Sequence, residues 1–260
     1  MSLEWIAFAY PQESPVPTAS RTYTVVLDWL EQHLRSGQIS VGDKLPGERQ
    51  LAEEFGISRA SVREAVRILD AMGLVRSSTG SGPAAGAIVI SEPSAALGWA
   101  LRMHVATRSL PVRDLVQTRL LLETQSALEA AGAPESPERT AALEHAAELV
   151  AAMEDPRLPD ERFHAHDAEF HVLLSSLAGN VVVETVMSSL RQATIGYVQE
   201  TVARLEDWPE VRRTLQEQHR GILGAFQERR GPDAAAALRE HITWFFGHSD
   251  AAQDEQESTG

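Results

Sequence analysis

Leu45-Pro46-Gly47-Glu48-Arg49-Gln50-Leu51-Ala52-Glu53-Glu54-Phe55-Gly56-Ile57-Ser58-Arg59-Ala60-Ser61-Val62-Arg63-Glu64-Ala65-Val66-Arg67 reads as two short helices across a tight turn. Leu51, Ala52 and Phe55 form the apolar face of the first helix. Gly56 can take the left-handed conformation that ends it, and Ser58 is a suitable N-cap for the second. In the second helix Val62, Val66 and Leu69 recur at three- and four-residue intervals and point inward, while Arg59, Arg63 and Arg67 recur every four residues on another face. From periodicity alone that arginine stripe fits a solvated face at least as well as a DNA groove, since Glu64 sits within it.

The residues after this helix shift the balance. Gly73-Leu74-Val75-Arg76-Ser77-Ser78, a loop rich in Gly, Ser and Pro, and Ala87-Ile88-Val89-Ile90 form two short β-prone runs around a turn. That pattern predicts a hairpin, the wing of a winged helix-turn-helix.

Residues 22 to 90 resemble the DNA-binding domain of the GntR family of bacterial transcriptional regulators. The resemblance is carried by Val26, Leu30 and Leu34 of an opening helix, by the run from Gly37 through Leu45-Pro46-Gly47-Glu48-Arg49, by Ser58 through Ala65, and by Met72-Gly73-Leu74-Val75. It implies DNA contacts from Arg49, Ser58, Arg59, Ser61 and Arg63, with Gly80 at the wing tip. Arginines can hold a guanine edge or a phosphate with two N–H groups, and serines can donate to phosphate. The wing departs from the family pattern, because Ser77-Ser78-Thr79-Gly80-Ser81-Gly82-Pro83 carries no basic residue.

The formal net charge of −14 is unusual for a DNA-binding protein. Residues 20–91 nevertheless hold eight basic and eight acidic side chains, so the excess acid lies elsewhere. A neutral head on an acidic body can bind a duplex through one arginine-rich edge. With no cysteine, disulfides and thiolate metal sites are excluded. No run approaches a membrane span, and Trp5-Ile6-Ala7-Phe8-Ala9-Tyr10 lacks the basic flank of a signal peptide. These readings predict a cytoplasmic protein that is mainly α, with an arm over 1–19, a winged helix-turn-helix over 20–91, a linker over 92–98 around Pro93, an all-α domain over 99–250 and a disordered tail over 251–260.

The C-terminal part reads as successive helices with no competing strand pattern. One carries Leu115, Arg119, Leu122 and Leu128 and ends near Gly132; the next opens at Pro137. Others run over 159–178, from Val181 to about 206, and from near Pro209 and Pro232. Asp167 and His171 stand four apart on one helix, with His219 and His241 on the two last helices. The spacing of four puts the first pair one turn apart on one face, as two ligands of one metal or as a simple intrahelical pair.

Residues 95 to 250 are similar to the FadR C-terminal domain, FCD, the helical effector-binding module of one GntR subgroup. The matching runs are Arg119-Leu120-Leu121-Leu122-Glu123, Phe163 with Asp167-Ala168-Glu169-Phe170-His171, Ala178-Gly179-Asn180, Gln218-His219-Arg220-Gly221-Ile222 and Glu240-His241. This resemblance implies a divalent cation on Asp167, His171, His219 and His241, zinc first, with nickel, manganese or iron as alternatives. It further implies a small organic acid anchored by Arg119, a homodimer and a pseudo-palindromic double-stranded DNA operator; whether the acid releases or promotes DNA binding stays open, release being the commoner behaviour. Arg119 could instead pair with Glu123, and Asn180 could line the effector cavity or cap a helix. His164 and His166 fall outside the motif and are expected to face solvent.

A three-His, one-Asp site could also support metal-dependent hydrolysis. No motif places a glutamate as general base, and that reading leaves the helix-turn-helix unexplained. The aminotransferase-like branch of the family needs a Schiff-base lysine in its C-terminal domain, whereas Lys44 is the only lysine and lies in the head. The expected protein is therefore a regulator and not an enzyme.

Overall fold

The computed structural model describes residues 22–78, 86–203, 205 and 207–257, the last nine of them as backbone only. Two compact units divide at Glu92 and Pro93.

In the first unit, α1 (Thr24–Arg35), α2 (Glu48–Phe55) and α3 (Arg59–Ala71) are followed by an antiparallel hairpin, β1 (Val75–Ser78) and β2 (Gly86–Val89). Val75 pairs with Val89, and an isolated bridge joins Lys44 to Ile88. The turn between α2 and α3 forms for the expected reasons. Gly56 adopts φ 62°, which costs a side-chain-bearing residue about 1 kcal/mol, and the Ser58 hydroxyl accepts from the Ser61 N–H, a cap worth about 1 kcal/mol. Val26, Leu51, Val62 and Ala65 are fully buried where the three helices meet, and Leu30, Leu69, Val75 and Val89 fill the space under the hairpin. Gly73, at φ 70°, sits where a Cβ would run into the Glu92 carbonyl. The hairpin itself matches the predicted wing; its tip, including Gly80, lies outside the described residues.

The second unit is α throughout: α4 (Pro93–Ala106), α5 (Val112–Gly132), α6 (Pro137–Met153), α7 (Asp160–Ser176), α8 (Val181–Val202), α9 (Trp208–Gln227) and α10 (Gly231–Glu257). α5 packs on α10, α4 on α8, α6 and α8 on α7, and α9 on α10. Phe163, Phe170, Met153, Leu174, Ile222 and Leu238 close the core between them. Ser136, followed by Pro137, caps α6, and Asn180 caps α8 by accepting from the Val182 and Val183 N–H groups.

Two segments differ from expectation. The stretch 92–98, read as linker, is helical from Pro93, because proline at the first helical position forfeits no hydrogen bond and the apolar residues after it find α8 to pack on. The tail read as disordered continues α10 as far as Glu257; residues 248–257 hold neither glycine nor proline, and their alanines, glutamines and glutamates favour a helix.

Candidate metal centre and nucleic-acid interface

α7 delivers two of the four expected ligands. Asp167 and His171 lie one turn apart on its inner face, while His219 comes from α9 and His241 from α10. The structure brings all four together: one ligand atom from each lies within 4.8 Å of all the others. Asp167 Oδ1 is 3.0 Å from His219 Nε2, 3.6 Å from His171 Nε2 and 3.9 Å from His241 Nε2. Four donors each about 2.1 Å from one ion would be separated by roughly 3–4 Å. All three imidazoles are buried.

The surrounding partners decide which imidazole nitrogen faces inward. Glu123 Oε2 accepts from His171 Nδ1 at 2.5 Å, and Gln218 Oε1 accepts from His241 Nδ1 at 2.9 Å. With both Nδ1–H groups engaged, the Nε2 lone pairs of His171 and His241 point at each other across 3.1 Å, beside a carboxylate oxygen. Such a cluster of acceptors is unfavourable alone and becomes favourable around a cation, so the residues present fit a divalent metal. His219 Nδ1 is buried without a partner among the described residues.

Charge in the site is balanced by two arginines. Arg119 Nε donates to Glu123 Oε1 at 2.5 Å, and Arg191 of α8 donates to Asp167 Oδ2. Burial alone would raise the Glu123 carboxyl, but Arg119 and His171 overcome it and hold the group far below the usual carboxylate range. The same contest at Asp167, with Arg191, His171 and His219 opposing burial, leaves it well below its ordinary value. Burial pushes His219 and His241 down, so both are neutral at pH 7, the form that binds metal.

Next to the ligands lies a narrow cavity with about 40 Å³ open to the centre of a water-sized sphere, room for a few waters. Arg119, Arg191, Thr194 and Tyr197 line it on the polar side, and Phe163, Ile242 and Phe245 on the apolar side. Arg119 therefore does both things considered for it: it pairs with Glu123 and it faces the cavity. Asn180 does not. It is exposed at the head of α8, engaged as its cap, and is not among the residues lining this cavity, so its assignment to effector binding is corrected. His164 is also corrected. It is buried on the same stripe of α7 as Asp167 and His171, three residues before Asp167, because that helix is packed on both sides; His166 is half-buried.

Three functional groups escaped the reading of the chain. Arg191 is the one basic residue of α8, an anomaly that could have marked it. Glu123 was visible only as an intrahelical partner of Arg119, and Gln218 only as the neighbour of His219.

In the other unit, Arg49, Ser58, Arg59 and Arg63 are exposed and Ser61 is half-buried. Arg63 pairs with Glu48 at 3.2 Å and Arg49 with Glu53 at 3.7 Å. Exposed pairs of this kind are worth about 0–1 kcal/mol, so exchange for phosphate is cheap.

Comparison with known proteins fits these geometries. The model of the bacterial regulatory proteins of the gntR family matches residues 22–84, and that of the FCD domain matches residues 114–243. The chain belongs to the GntR family. It is 30% identical over 215 residues to the HTH-type transcriptional regulator LutR of Bacillus subtilis, covering 81% of this chain and 93% of LutR. It is 29% identical over 238 residues to the Uxu operon regulator of Haemophilus influenzae, covering 86% and 80%. Among solved structures, a GntR protein of Streptococcus agalactiae aligns with a TM-score of 0.57 at 25% identity, over 86% of this chain and 97% of that one. As a member of the GntR family with an FCD domain, the chain is a DNA-binding transcriptional regulator and not an enzyme. No helix among the described residues is long and apolar enough to cross a membrane.

Proposed function

We propose that this regulator binds a small carboxylate at a divalent metal held by Asp167, His171, His219 and His241, and that occupancy controls its grip on operator DNA. The observation that carries the reading is the convergence of four ligand atoms, with imidazole tautomers set by Glu123 and Gln218, beside a cavity lined by two arginines. When bound, the metal supplies a Lewis-acidic anchor for a carboxylate oxygen.

The chain's own residues do the rest. Arg119 commits its Nε–H to Glu123 and keeps its terminal N–H groups for the carboxylate. Arg191 holds Asp167 in place from the opposite side. The four ligands and their partners are spread over α5, α7, α8, α9 and α10, so filling the cavity favours one packing of these helices over another. α4 lies along α8, which carries Arg191, and offers a mechanical path from the site toward the boundary at Pro93. In the head, Arg49, Ser58, Arg59, Ser61 and Arg63, with Gly80 of the wing, engage DNA, and a homodimer reads two half-sites of a pseudo-palindromic operator. Acid binding releases the DNA.

The test uses full-length protein. Elemental analysis of the wild type and of an Asp167→Ala, His219→Ala double variant is followed by titration against duplexes selected from a random pool, with and without a panel of small carboxylates. Near-stoichiometric metal and a carboxylate-dependent loss of duplex binding are expected in the wild type alone. Full metal content and an unchanged acid response in the double variant would refute the proposal.

A further inference from the structure

The hairpin of the first unit is flanked on its second edge by the segment before α2. The Leu45 N–H donates to the Ala87 carbonyl and the Val89 N–H to the Asp43 carbonyl, both at 2.8 Å, which sets Lys44 beside Ile88. On the other side of β2, Arg76 of β1 is the register partner of the same Ile88. Residues paired across strands share a face of the sheet. Ala87 and Val89 are buried, so the face that carries Lys44, Ile88 and Arg76 is the outer one, and all three are exposed. With neighbouring strands about 4.8 Å apart, the two cationic residues stand about 10 Å apart across the sheet, with an apolar residue between them.

Their surroundings direct this row outward and toward the end of the hairpin. A Cβ at Gly86 would lie 2.7 Å from Lys44 Cε, so the glycine leaves open the path that the lysine stem takes across β2. Gly86 opens β2 opposite Ser78, the last residue of β1, and the stem therefore runs toward the tip. Arg76 is the only charged residue between Val75 and Ile90, which makes it the one side chain of the hairpin that can meet a phosphate with a full charge. The acidic neighbours are placed to allow this. Asp43 turns back on its own loop and accepts from the Ser40 N–H at 2.8 Å. Glu92, whose N–H is fixed to the Gly73 carbonyl at 3.0 Å, accepts from Arg76 at 2.5 Å, but the two side chains are 59% and 64% exposed. An exposed pair of this kind is worth at most about fivefold in an equilibrium constant, so a phosphate can replace the carboxylate.

We propose that Lys44 and Arg76 form a phosphate-binding row on the outer face of the wing, which grips the duplex backbone without reading bases, and that Glu92 occupies Arg76 until DNA displaces it. The row supplies from the strands the charge that residues 77–83 of the wing lack. This inference rests on DNA binding by the head and on none of the metal or carboxylate chemistry.

The experiment measures binding of the full-length protein, over a range of salt concentrations, to a duplex selected from a random pool and to an unrelated duplex of equal length. Thermal melts verify that each variant is folded. Lys44→Gln and Arg76→Gln are each expected to lower the slope of log affinity against log salt by about 0.9 and to weaken binding about eightfold at ~0.1 M salt, by the same factor on both duplexes. Arg76→Lys keeps the slope, because a phosphate accepts either cation. Glu92→Gln strengthens binding about two- to fivefold and loses that effect when combined with Arg76→Gln. An unchanged slope in either glutamine variant, or a loss confined to the selected duplex, overturns the row. A gain from Glu92→Gln that persists without Arg76 overturns the part given to Glu92. A wild type that holds neither duplex at low salt refutes DNA binding by the head itself, and the row falls with it.

Discussion

Replacing Glu123 by Gln removes one charge from the centre of the helical domain while keeping the side chain's shape. Glu123 is 1% exposed and accepts two charge-assisted hydrogen bonds, from Arg119 Nε and from His171 Nδ1. Bonds of that type contribute about 1.5–3 kcal/mol each. Gln can keep one acceptor, but its amide N–H₂ then faces a donor, and Arg119 remains buried without its counter-charge. The net loss should be about 3 kcal/mol, the lower end of what breaking a buried ion pair costs. For a domain of this size that lowers the melting temperature by roughly 6–12 °C. The same substitution releases the His171 ring from the orientation that aims Nε2 at its fellow ligands, and losing such a support typically weakens metal affinity about 10- to 100-fold. Calorimetric melts in chelator measure the first effect, and zinc competition against a fluorescent chelator measures the second. A variant that melts within a degree of the wild type and binds zinc within twofold would show that Glu123 neither balances Arg119 nor orients His171.

Two further outcomes follow from charge. His219 and His241 have folded-state values pushed below the ordinary 6.5, by burial first, so below pH 6.5 the unfolded chain takes up protons that the folded one refuses. Glu123 and Asp167, depressed in the folded state, add stability that is present above their unfolded values and lost as pH falls below them. The metal-free protein should therefore lose melting temperature steadily from pH 6.5 to 4, and a flat profile from 7 to 5 would contradict the burial argument. In the head, Arg59→Ala and Arg63→Ala should each reduce the slope of log affinity against log salt by about 1 if the lost contact is to phosphate. Unchanged duplex affinity at every salt concentration would remove those residues from the interface.

Local structure was legible wherever neighbours along the chain decide it. Gly56 and Ser58 shape the turn before α3 through contacts within a few residues, and the opening of α6 at Pro137 and the cap at Asn180 act over the same range. The pairing of Asp167 with His171 is a matter of helical pitch. That His219 and His241 belong to the same cluster was not legible from spacing and came from resemblance to the FCD domain. His164 was misplaced because its short-range context is the same as that of His166, two residues on; only the packing of α7 between α6 and α8 tells them apart.

The chain by itself determined a helix-turn-helix with an arginine-faced second helix, a helical body behind it, and the pairing of Asp167 with His171 on one helix face. Those properties depend on pitch, caps and residue type. Tertiary structure alone decided which groups orient and neutralise the ligands: Glu123 meets His171 across 48 residues and Arg191 meets Asp167 across 24. It also decided that His164 and Trp208 are left without partners among the described residues. Buried hydrogen bonding depends on distances and angles between helices, and these are set by how the whole core packs.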